Sequence, residues 1–260
     1  MSLPGVTASP DVGDYQKLAS VYDLLHPDRD IEVDFYVSLV DRQVSSILDL
    51  GCGTGALTGP LEAKRSAQHG CRGQTVGLDS SSAMLAQGRL RCRDVLWVEG
   101  DMRSPGVTGP FDLIVSGLNT IQHLLTDAEM LATFGSVRRL LAPSGIFAFD
   151  IFNPDPAFLQ PLRQDSLVRR LSGPQGLFEL RECTSYDKDN RVLTISWRLP
   201  PIDAGPGDTA RFRMRQYWPE DISSLLAKAG LAVVDLYGDF AGGAFCSSAP
   251  RQVYRCRVAQ

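Results

Sequence analysis

The chain has 260 residues, of which 43% are hydrophobic and 22% charged, so its composition is that of an ordinary globular protein. Its formal net charge of −4 argues against a nucleic-acid partner, which would need a basic face. The sequence lacks an apolar run long enough for a transmembrane helix and a secretory signal at its start. The six scattered cysteines form no C-x-x-C pair, which is typical of reduced thiols in a cytoplasmic protein without a metal site.

Apolar residues recur at helical spacing in two segments near the N-terminus. Over residues 14–25 this spacing predicts one helix that carries Tyr15 and Tyr22 and ends at His26-Pro27. A second helix is predicted roughly from residue 30 to residue 44, with a packing role.

The stretch from Ile47 to Leu57, I-L-D-L-G-C-G-T-G-A-L, organises the rest of the chain. Its apolar start predicts a buried strand, and Gly51, Gly53 and Gly55 then lead into a helix. A strand, a glycine turn and a helix in this order present backbone N–H groups to a ligand. Glycine also permits positive φ and close approach of a ligand. An ordinary tight turn of an α/β protein is the less favoured interpretation.

Strands and helices alternate over the next hundred residues. The predicted helices cover 56–67, 83–90 and 127–141, and the predicted strands cover 75–79, 95–99, 111–116 and 146–152. This alternation predicts a parallel sheet with helices on both faces.

The pattern changes after residue 156. Strand-like segments at 177–186, 191–199 and 209–218 predict an antiparallel insert. A helix then begins at Pro219 and ends at Gly230, and the last two predicted strands cover 231–237 and 252–258.

Three acidic residues decide which ligand the glycine stretch binds, because the stretch also fits the dinucleotide pattern G-x-G-x-x-G/A. Asp49 precedes the glycines, where a carboxylate suits a cationic amino group and repels a pyrophosphate. Asp79 lies 28 positions beyond Gly51, whereas a dinucleotide fold places its ribose acid about 20 residues on. Asp101 ends the next strand, where it could accept a hydrogen bond from an adenine amino group. The three acids mark the sheet edge at which open α/β folds bind ligands.

These segments together resemble the class I S-adenosylmethionine (SAM)-dependent methyltransferases, over about residues 15–152. The matching motifs are D-L-G-C-G-T-G at 49–55, L-D-S at 78–80, G-D-M at 100–102, F-D-L-I at 111–114 and L-L-A-P-S-G at 140–145. The resemblance implies an α/β, Rossmann-like fold. Its seven-stranded, mostly parallel sheet has helices on both faces and one antiparallel strand, and an antiparallel β insert forms a lid.

The resemblance also suggests a division of the chain. We expect a disordered lead at 1–13, a SAM-binding domain at 14–156 and 218–260, and the insert over the active site at 157–217.

The resemblance assigns cofactor-binding roles to residues of the matching motifs. Around the methionine part of SAM, or of its product S-adenosyl-L-homocysteine (SAH), it places Gly51, Gly53, Gly55, Asp49 and Ser116. Around the nucleoside it places Asp79 and Ser80 at the ribose, Met84 near the ribose or adenine, and Asp101 with Met102 at the adenine.

Methyl transfer to the acceptor depends mainly on alignment, and a base is needed only if the acceptor must lose a proton. His123, just beyond the fourth strand, is the candidate base or acceptor-orienting group, although a lone histidine is often structural. Tyr22 resembles the tyrosine that covers the cofactor in small-molecule members. Tyr15, Asn153 and Tyr217 could line the acceptor pocket. Tyr22 and Met84 could equally be core residues.

The insert is expected to select the acceptor. Its alternating Arg211, Arg213 and Arg215 are interpreted as the solvated side of a strand, rather than as a site for an acidic group or a subunit contact. The whole arrangement is similar to glycine/sarcosine-type and amino-sugar N-methyltransferases, which favours N- or O-methylation of a small molecule. An RNA or protein methyltransferase, an NAD(P) oxidoreductase and a non-methylating SAM-binding protein stay as alternatives. We expect no membrane partner and a possible homodimer.

Overall fold

The structure is a computed structural model that describes residues 13–157, 159, 161–173, 176–199 and 209–259. The lead predicted at residues 1–13 therefore lies, apart from Gly13, outside the described residues. No helix in the described part of the chain is long and apolar enough to cross a membrane.

Most elements follow one another in the order that the sequence predicts. The helices are α1 (Tyr15–Leu18), α2 (Tyr22–Leu25), α3 (Asp30–Ser38), α4 (Thr58–His69), α5 (Ser82–Arg91), α6 (Asp127–Leu140) and α7 (Pro219–Ala229), with a 3-10 helix at Thr120–His123. The strands are β1 (Ser46–Leu50), β2 (Gln74–Asp79), β3 (Leu96–Glu99), β4 (Phe111–Ser116), β5 (Leu141–Phe152), β6 (Arg163–Gly173), β7 (Gly176–Asp187), β8 (Val192–Arg198), β9 (Thr209–Arg215), β10 (Leu231–Tyr237) and β11 (Arg251–Val258).

The main sheet has seven strands in the order β10-β11-β5-β4-β1-β2-β3. Strands β1 to β5 pair in parallel, whereas β11 runs antiparallel to both of its neighbours, β5 and β10. The predicted Rossmann-like sheet with one inserted antiparallel strand is confirmed. This topology brings the carboxyl ends of β1, β2, β3 and β4 to one edge, where such sheets bind ligands.

Helices cover both faces of the sheet. Because successive residues of each central strand point to opposite faces, each strand contributes side chains to two cores. Leu48 and Leu50 of β1 pack into a core under α6 and α7. Ile47 of the same strand packs into a second core under α3 and α4, with Tyr36 and Leu61. These continuous apolar runs explain why β1 and β4 are recognisable from the sequence.

A second, antiparallel sheet has the order β6-β7-β8-β9. The sequence pattern does not predict its edge strand β6, because Leu167 and Val168 are exposed and no alternation marks the strand. Along β9, Phe212 and Met214 are buried, so the intervening arginines lie on the opposite face. That face is solvated only in part, because Arg213 borders the cavity described below and Arg215 pairs with Asp127 at 2.8 Å. The sheet falls within the segment assigned to the insert, and the domain division itself stays a prediction.

The N-terminal segment differs from the prediction. The single helix expected over residues 14–25 is wrong, since α1 and α2 are separated by a turn. Helices this short are marginal alone, so tertiary contacts decide where they end. Asp23 of α2 accepts a hydrogen bond from the Thr54 hydroxyl at 2.6 Å and pairs with Arg91. The helix expected at 30–44 likewise ends early, at Ser38.

Trp97 of β3 packs against three glycines. A Cβ built at Gly55, Gly77 or Gly88 would lie 2.5, 2.8 or 2.7 Å from the indole. Contacts this short are overpacked, so only glycine leaves room for the ring. The indole Nε1–H donates to the carbonyl of Cys92 at 2.9 Å, which fixes its orientation. Trp97 thereby joins β3, α5 and the glycine turn.

Two glycine-to-alanine changes inside helices should therefore act in opposite directions. Alanine is favoured over glycine in a helix by about 1 kcal/mol. A Cβ at Gly135 in α6 would meet only Arg139 Nη1 at 3.7 Å, so Gly135→Ala should raise the free energy of unfolding by about 0.5–1 kcal/mol. Gly88→Ala should lower it by about 1–3 kcal/mol because the indole is overpacked. Urea unfolding followed by circular dichroism measures both, and equal effects would contradict this account.

Candidate functional site

A cavity of about 400 Å³ lies at the carboxyl edge of the main sheet, beneath α1 and α2. Most residues predicted for the site border it. They are Tyr15, Tyr22, Gly51, Gly53, Asp79, Ser80, Met84, Asp101, Met102 and His123. A recess of about 30 Å³ adjoins the cavity and is bordered by Asp49. The two spaces share Tyr22, Gly51, Gly53, Leu118 and Thr120.

The glycine turn after β1 has a backbone that only glycine adopts readily. Gly51 and Gly53 have φ of +73° and +54°. The Gly51 N–H donates to the carbonyl of Leu78 at 2.7 Å, which ties the turn to the end of β2. A Cβ at Gly53 would come no closer than 4.0 Å to its one neighbour, the Tyr22 ring. Gly53 therefore leaves open space beside both the cavity and the recess.

Asp79 holds the turn from the neighbouring strand. Its two carboxylate oxygens accept the N–H groups of Gly53 and Ser81, both at 2.8 Å. Burial raises the pKa of Asp79, and these N–H donors oppose that shift. Each oxygen keeps further lone pairs, so the carboxylate offers fixed acceptors to a ligand in the cavity.

Asp49 is an almost wholly buried carboxylate, 2% exposed, at the wall of the recess. The Thr58 hydroxyl donates to it at 2.6 Å. Burial raises the pKa of Asp49 to about 7, the Thr58 hydrogen bond opposes the shift, and nearby Asp79 adds to it. Among the described residues no cation compensates this carboxylate, so a cationic group of a ligand would stabilise its charged form.

Arg29 also borders the recess, and sequence reasoning missed it. Its guanidinium carbon lies 4.9 Å from the centre of the Tyr22 ring. The recess thus combines a carboxylate, Asp49, with a guanidinium, which suits a zwitterionic group such as the end of an amino acid. The only signal in the sequence is that Arg29 follows the helix-ending His26-Pro27.

The opposite end of the cavity is bordered by Asp101 and Arg103. The Arg103 guanidinium donates to Asp101 Oδ2 from Nε at 2.8 Å and from Nη2 at 2.6 Å. It also donates to Glu129 of α6 at 2.8 Å. Much of the acceptor capacity of Asp101 is therefore used within the protein, and its contact with adenine stays a prediction. The side chains of Met84 and Met102 give this end apolar surface.

Tyr15 and His123, which are 108 positions apart, meet in the cavity wall. The Tyr15 hydroxyl lies 2.8 Å from His123 Nε2, and His123 Nδ1 lies 2.8 Å from the carbonyl oxygen of Arg213 in β9. A carbonyl only accepts, so Nδ1 carries a proton and donates it. In the neutral ring Nε2 is then the acceptor of the Tyr15 O–H. Burial raises the pKa of Tyr15 well above its usual value, which keeps the phenol protonated.

Four residues suggested for the site do not border either space. Ser116 is fully buried, and its hydroxyl donates to a carbonyl of β1 at 2.9 Å. Gly55 faces the indole described above. The Tyr217 hydroxyl is buried and donates to a main-chain carbonyl at 2.5 Å, and the Asn153 amide donates to two carbonyls at 2.9 and 3.0 Å. Each is used in packing or in holding loops, so these contacts do not support a place at the ligand, and the assignment stays a prediction.

Comparison with known proteins supports this picture. Residues 47–145 match the family described as a methyltransferase domain. The putative methyltransferase YqeM of Bacillus subtilis is 34% identical over 143 residues, which are 53% of this chain and 55% of that protein. The dTDP-3-amino-3,4,6-trideoxy-alpha-D-glucopyranose N,N-dimethyltransferase of Streptomyces venezuelae is 31% identical over 137 residues, which are 49% and 54% of the two chains.

The fold is shared over a longer span than the sequence. The structure of the CcbJ methyltransferase from Streptomyces caelestis covers 95% of this chain and 98% of its own, with a TM-score of 0.78 and 22% identity. The chain spans about half the length of the curated relatives it matches. The comparisons confirm the predicted fold and the resemblance to class I SAM-dependent methyltransferases, among them amino-sugar N-methyltransferases.

The raised pKa of Asp49 predicts a pH-dependent stability. An unfolded aspartate has a pKa near 4, so the folded chain binds more protons between pH 4 and about 7. The contribution of Asp49 to stability is therefore present below pH 4 and is lost as the pH rises to about 7. Relative to wild type, Asp49→Asn should gain about 2 kcal/mol of unfolding free energy between pH 5 and pH 7.

Urea unfolding at several pH values measures this difference. Asp112→Asn is the matched control, because hydrogen bonds from Ser45 and Ser46 hold the pKa of Asp112 below its usual value. Asp112 stays ionised in both states across this range, so its variant should keep a constant difference from wild type. A constant difference for Asp49→Asn as well would contradict the raised pKa.

Proposed function

We propose that the chain is a SAM-dependent methyltransferase that methylates a small molecule. The most favoured acceptor is an amine, such as that of an amino sugar or another natural-product intermediate. The observation that carries the proposal is the pair of adjoining spaces at the glycine turn: the recess bordered by Asp49 and Arg29, and the cavity bordered by Tyr15 and His123. We also propose a cytoplasmic location, in keeping with six free cysteines.

The residues present fit SAM along the whole space. The recess would take the amino-acid end, with Asp49 near the amino group and Arg29 near the carboxylate. The open face at Gly53 leaves room for the chain that follows. Asp79 would accept from the ribose hydroxyls, and the methionine side chains at 84 and 102 would pack on the adenine. When bound, SAM supplies a methyl carbon activated by its sulfonium.

The same residues disfavour a dinucleotide. A pyrophosphate beside the glycine turn would lie near Asp49 and Asp79, and within the described residues no cation influences the pKa of either carboxylate. The two acids would therefore repel the pyrophosphate of NAD, whereas they would attract a cationic amino group.

Tyr15 and His123 would prepare an amine acceptor. An amine attacks with its lone pair, so an ammonium group must first lose a proton. The Tyr15 oxygen can accept that proton from the acceptor while its own O–H proton passes to His123 Nε2. The resulting imidazolium keeps its Nδ1–H on the Arg213 carbonyl. The pair thus moves one proton and returns Tyr15 to its neutral form.

An amine is preferred as acceptor because one relative is named as an amino-sugar N,N-dimethyltransferase. The hydroxyl–imidazole pair would equally serve an O-methyltransferase of a small metabolite. A SAM-binding protein with a non-methylating reaction is the remaining alternative, and a negative result over an acceptor panel would favour it.

Ligand binding tests the cofactor. SAH at about 100 times its Kd should stabilise the chain by about 2.7 kcal/mol, whereas NAD should not shift the melting temperature.

Asp79→Asn should weaken SAH binding by at least about tenfold, because an ionised acceptor at the ribose is lost. Asp112→Asn, remote from the cavity, should bind like wild type in calorimetry. A shift with NAD alone would show that the proposal is wrong.

Turnover over a panel of amines and amino sugars tests the proton path. His123→Ala and Tyr15→Phe should each lower kcat by about 10²-fold at pH 7, as expected for loss of a general base. The loss should shrink at higher pH, where the free acceptor is already deprotonated. SAH affinity should stay within about twofold, and Tyr186→Phe on β7 is the matched control. Unchanged turnover in His123→Ala would remove the histidine from the mechanism.

A further inference from the structure

Two consecutive residues just after β4 have a left-handed backbone conformation. Leu118 and Asn119 have φ of 60° and 65°, in a region that costs free energy for leucine and less for asparagine. They lead directly into the 3-10 helix that begins at Thr120 and ends at His123. Leu118 and Thr120 border both the cavity and the recess. The conformation of this pair therefore determines where the 3-10 helix that carries His123 begins.

The strained pair turns its N–H groups toward one buried carboxylate. The N–H groups of Leu118 and Asn119 lie 2.6 and 3.3 Å from the two oxygens of Asp150, in β5. Successive N–H groups in this arrangement form a concave site for an anion. Asp150 is fully buried and does not border the cavity. It acts as an internal anion that holds the loop from behind.

Two further residues fix Asp150. The Tyr36 hydroxyl donates to it at 2.6 Å, and Arg251 Nη1 donates at 3.0 Å. The same Arg251 nitrogen donates to the side chain of Asn119 at 2.9 Å. The Arg251 guanidinium also lies over the Phe152 ring, 4.5 Å from its centre. The carboxylate is thus compensated by a cation that itself contacts the strained loop.

We infer that Asp150 is a positioning residue: it holds Leu118 and Asn119 in their left-handed conformation and so places His123 for proton transfer at the methyl-transfer site. The part of this inference that concerns methyl transfer rests on the proposed function. The part that concerns the loop and the histidine does not.

Asp150→Asn, in the full chain, tests the inference. An asparagine keeps one acceptor oxygen but turns an N–H₂ donor toward the donors of Asn119 and Arg251. Amide hydrogen exchange of residues 118–123 should become at least about tenfold faster, and nitrogen NMR of the His123 ring should lose the single Nδ1–H tautomer. SAH affinity should fall by about tenfold, since Leu118 and Thr120 border both spaces. Unchanged exchange with an unchanged tautomer would overturn the inference.

Asp112→Asn is the matched control. Asp112 accepts four hydrogen bonds from Ser45 and Ser46 at 2.9–3.0 Å, at the opposite end of β4. Its variant also loses a well-bonded carboxylate, so it should lower the melting temperature. Exchange at 118–123 and the His123 tautomer should stay as in wild type. If this control altered both, general destabilisation would explain the result and the inference would fail.

A second pair of variants decides the matter if Asp150→Asn does not fold. Asn119→Ala and Asn119→Gly both remove the side-chain contact with Arg251, but glycine adopts φ near +65° without the cost that alanine bears. Exchange of the loop should be about fivefold faster in Asn119→Ala than in Asn119→Gly. Equal rates would overturn the inference. Failure of the wild-type chain to bind SAH would refute the proposed function alone, because exchange and tautomer are measured without a ligand.

Discussion

The shape of the site depends on one carboxylate, Asp79, that bridges two strands. One oxygen binds the N–H of Gly53 in the turn after β1, and the other binds the N–H of Ser81 at the start of α5. A single side chain therefore fixes the glycine turn relative to the end of β2. Groups of the protein itself hold the turn, so a ligand need not supply the free energy of ordering it. Trp97, packed on three glycines, secures the same corner from the far side.

The three acids at the strand ends have different environments, although the sequence presents them alike. Asp49 is buried with one hydroxyl donor, and burial raises its pKa to about 7. Asp79 is held by two backbone N–H groups, and Asp101 by the Arg103 guanidinium. The least compensated charge is therefore at the recess, which Arg29 also borders. This difference gives the space a direction, because the carboxylate at the other end, Asp101, is already paired with Arg103.

The sequence predicts the parts of the fold that local patterns determine. Strands β4 and β10 have the predicted bounds because each is an apolar or β-branched run between turn signals. Edge strand β6 escapes prediction because its apolar residues are exposed. The single helix expected at 14–25 fails because contacts made by Asp23 with distant residues decide where α1 and α2 end.

The sequence likewise predicts only part of the site. Strand-end motifs indicate the residues that border the cavity, since parallel strands end at one edge. They also indicate Ser116, whose side chain turns back to β1. They omit Arg29, which reaches the recess only because the chain folds back after Pro27. They also cannot show that Asp150, buried in β5, contacts the loop after β4.

His123 illustrates why the cofactor motifs do not define the chemistry. Its ring is held by the hydroxyl of Tyr15 in α1 and by the carbonyl of Arg213 in β9, and neither element carries a strand-end motif. The second sheet is therefore more than a cover for the cavity, since a backbone oxygen of β9 selects the tautomer in which Nε2 carries no proton and accepts the hydrogen bond from Tyr15. Asp150 fixes the loop that carries the ring, while α1 and β9 fix the ring itself. The position of Nε2, the proton acceptor in the proposed mechanism, is thus determined jointly by the main sheet, the N-terminal helix and the second sheet.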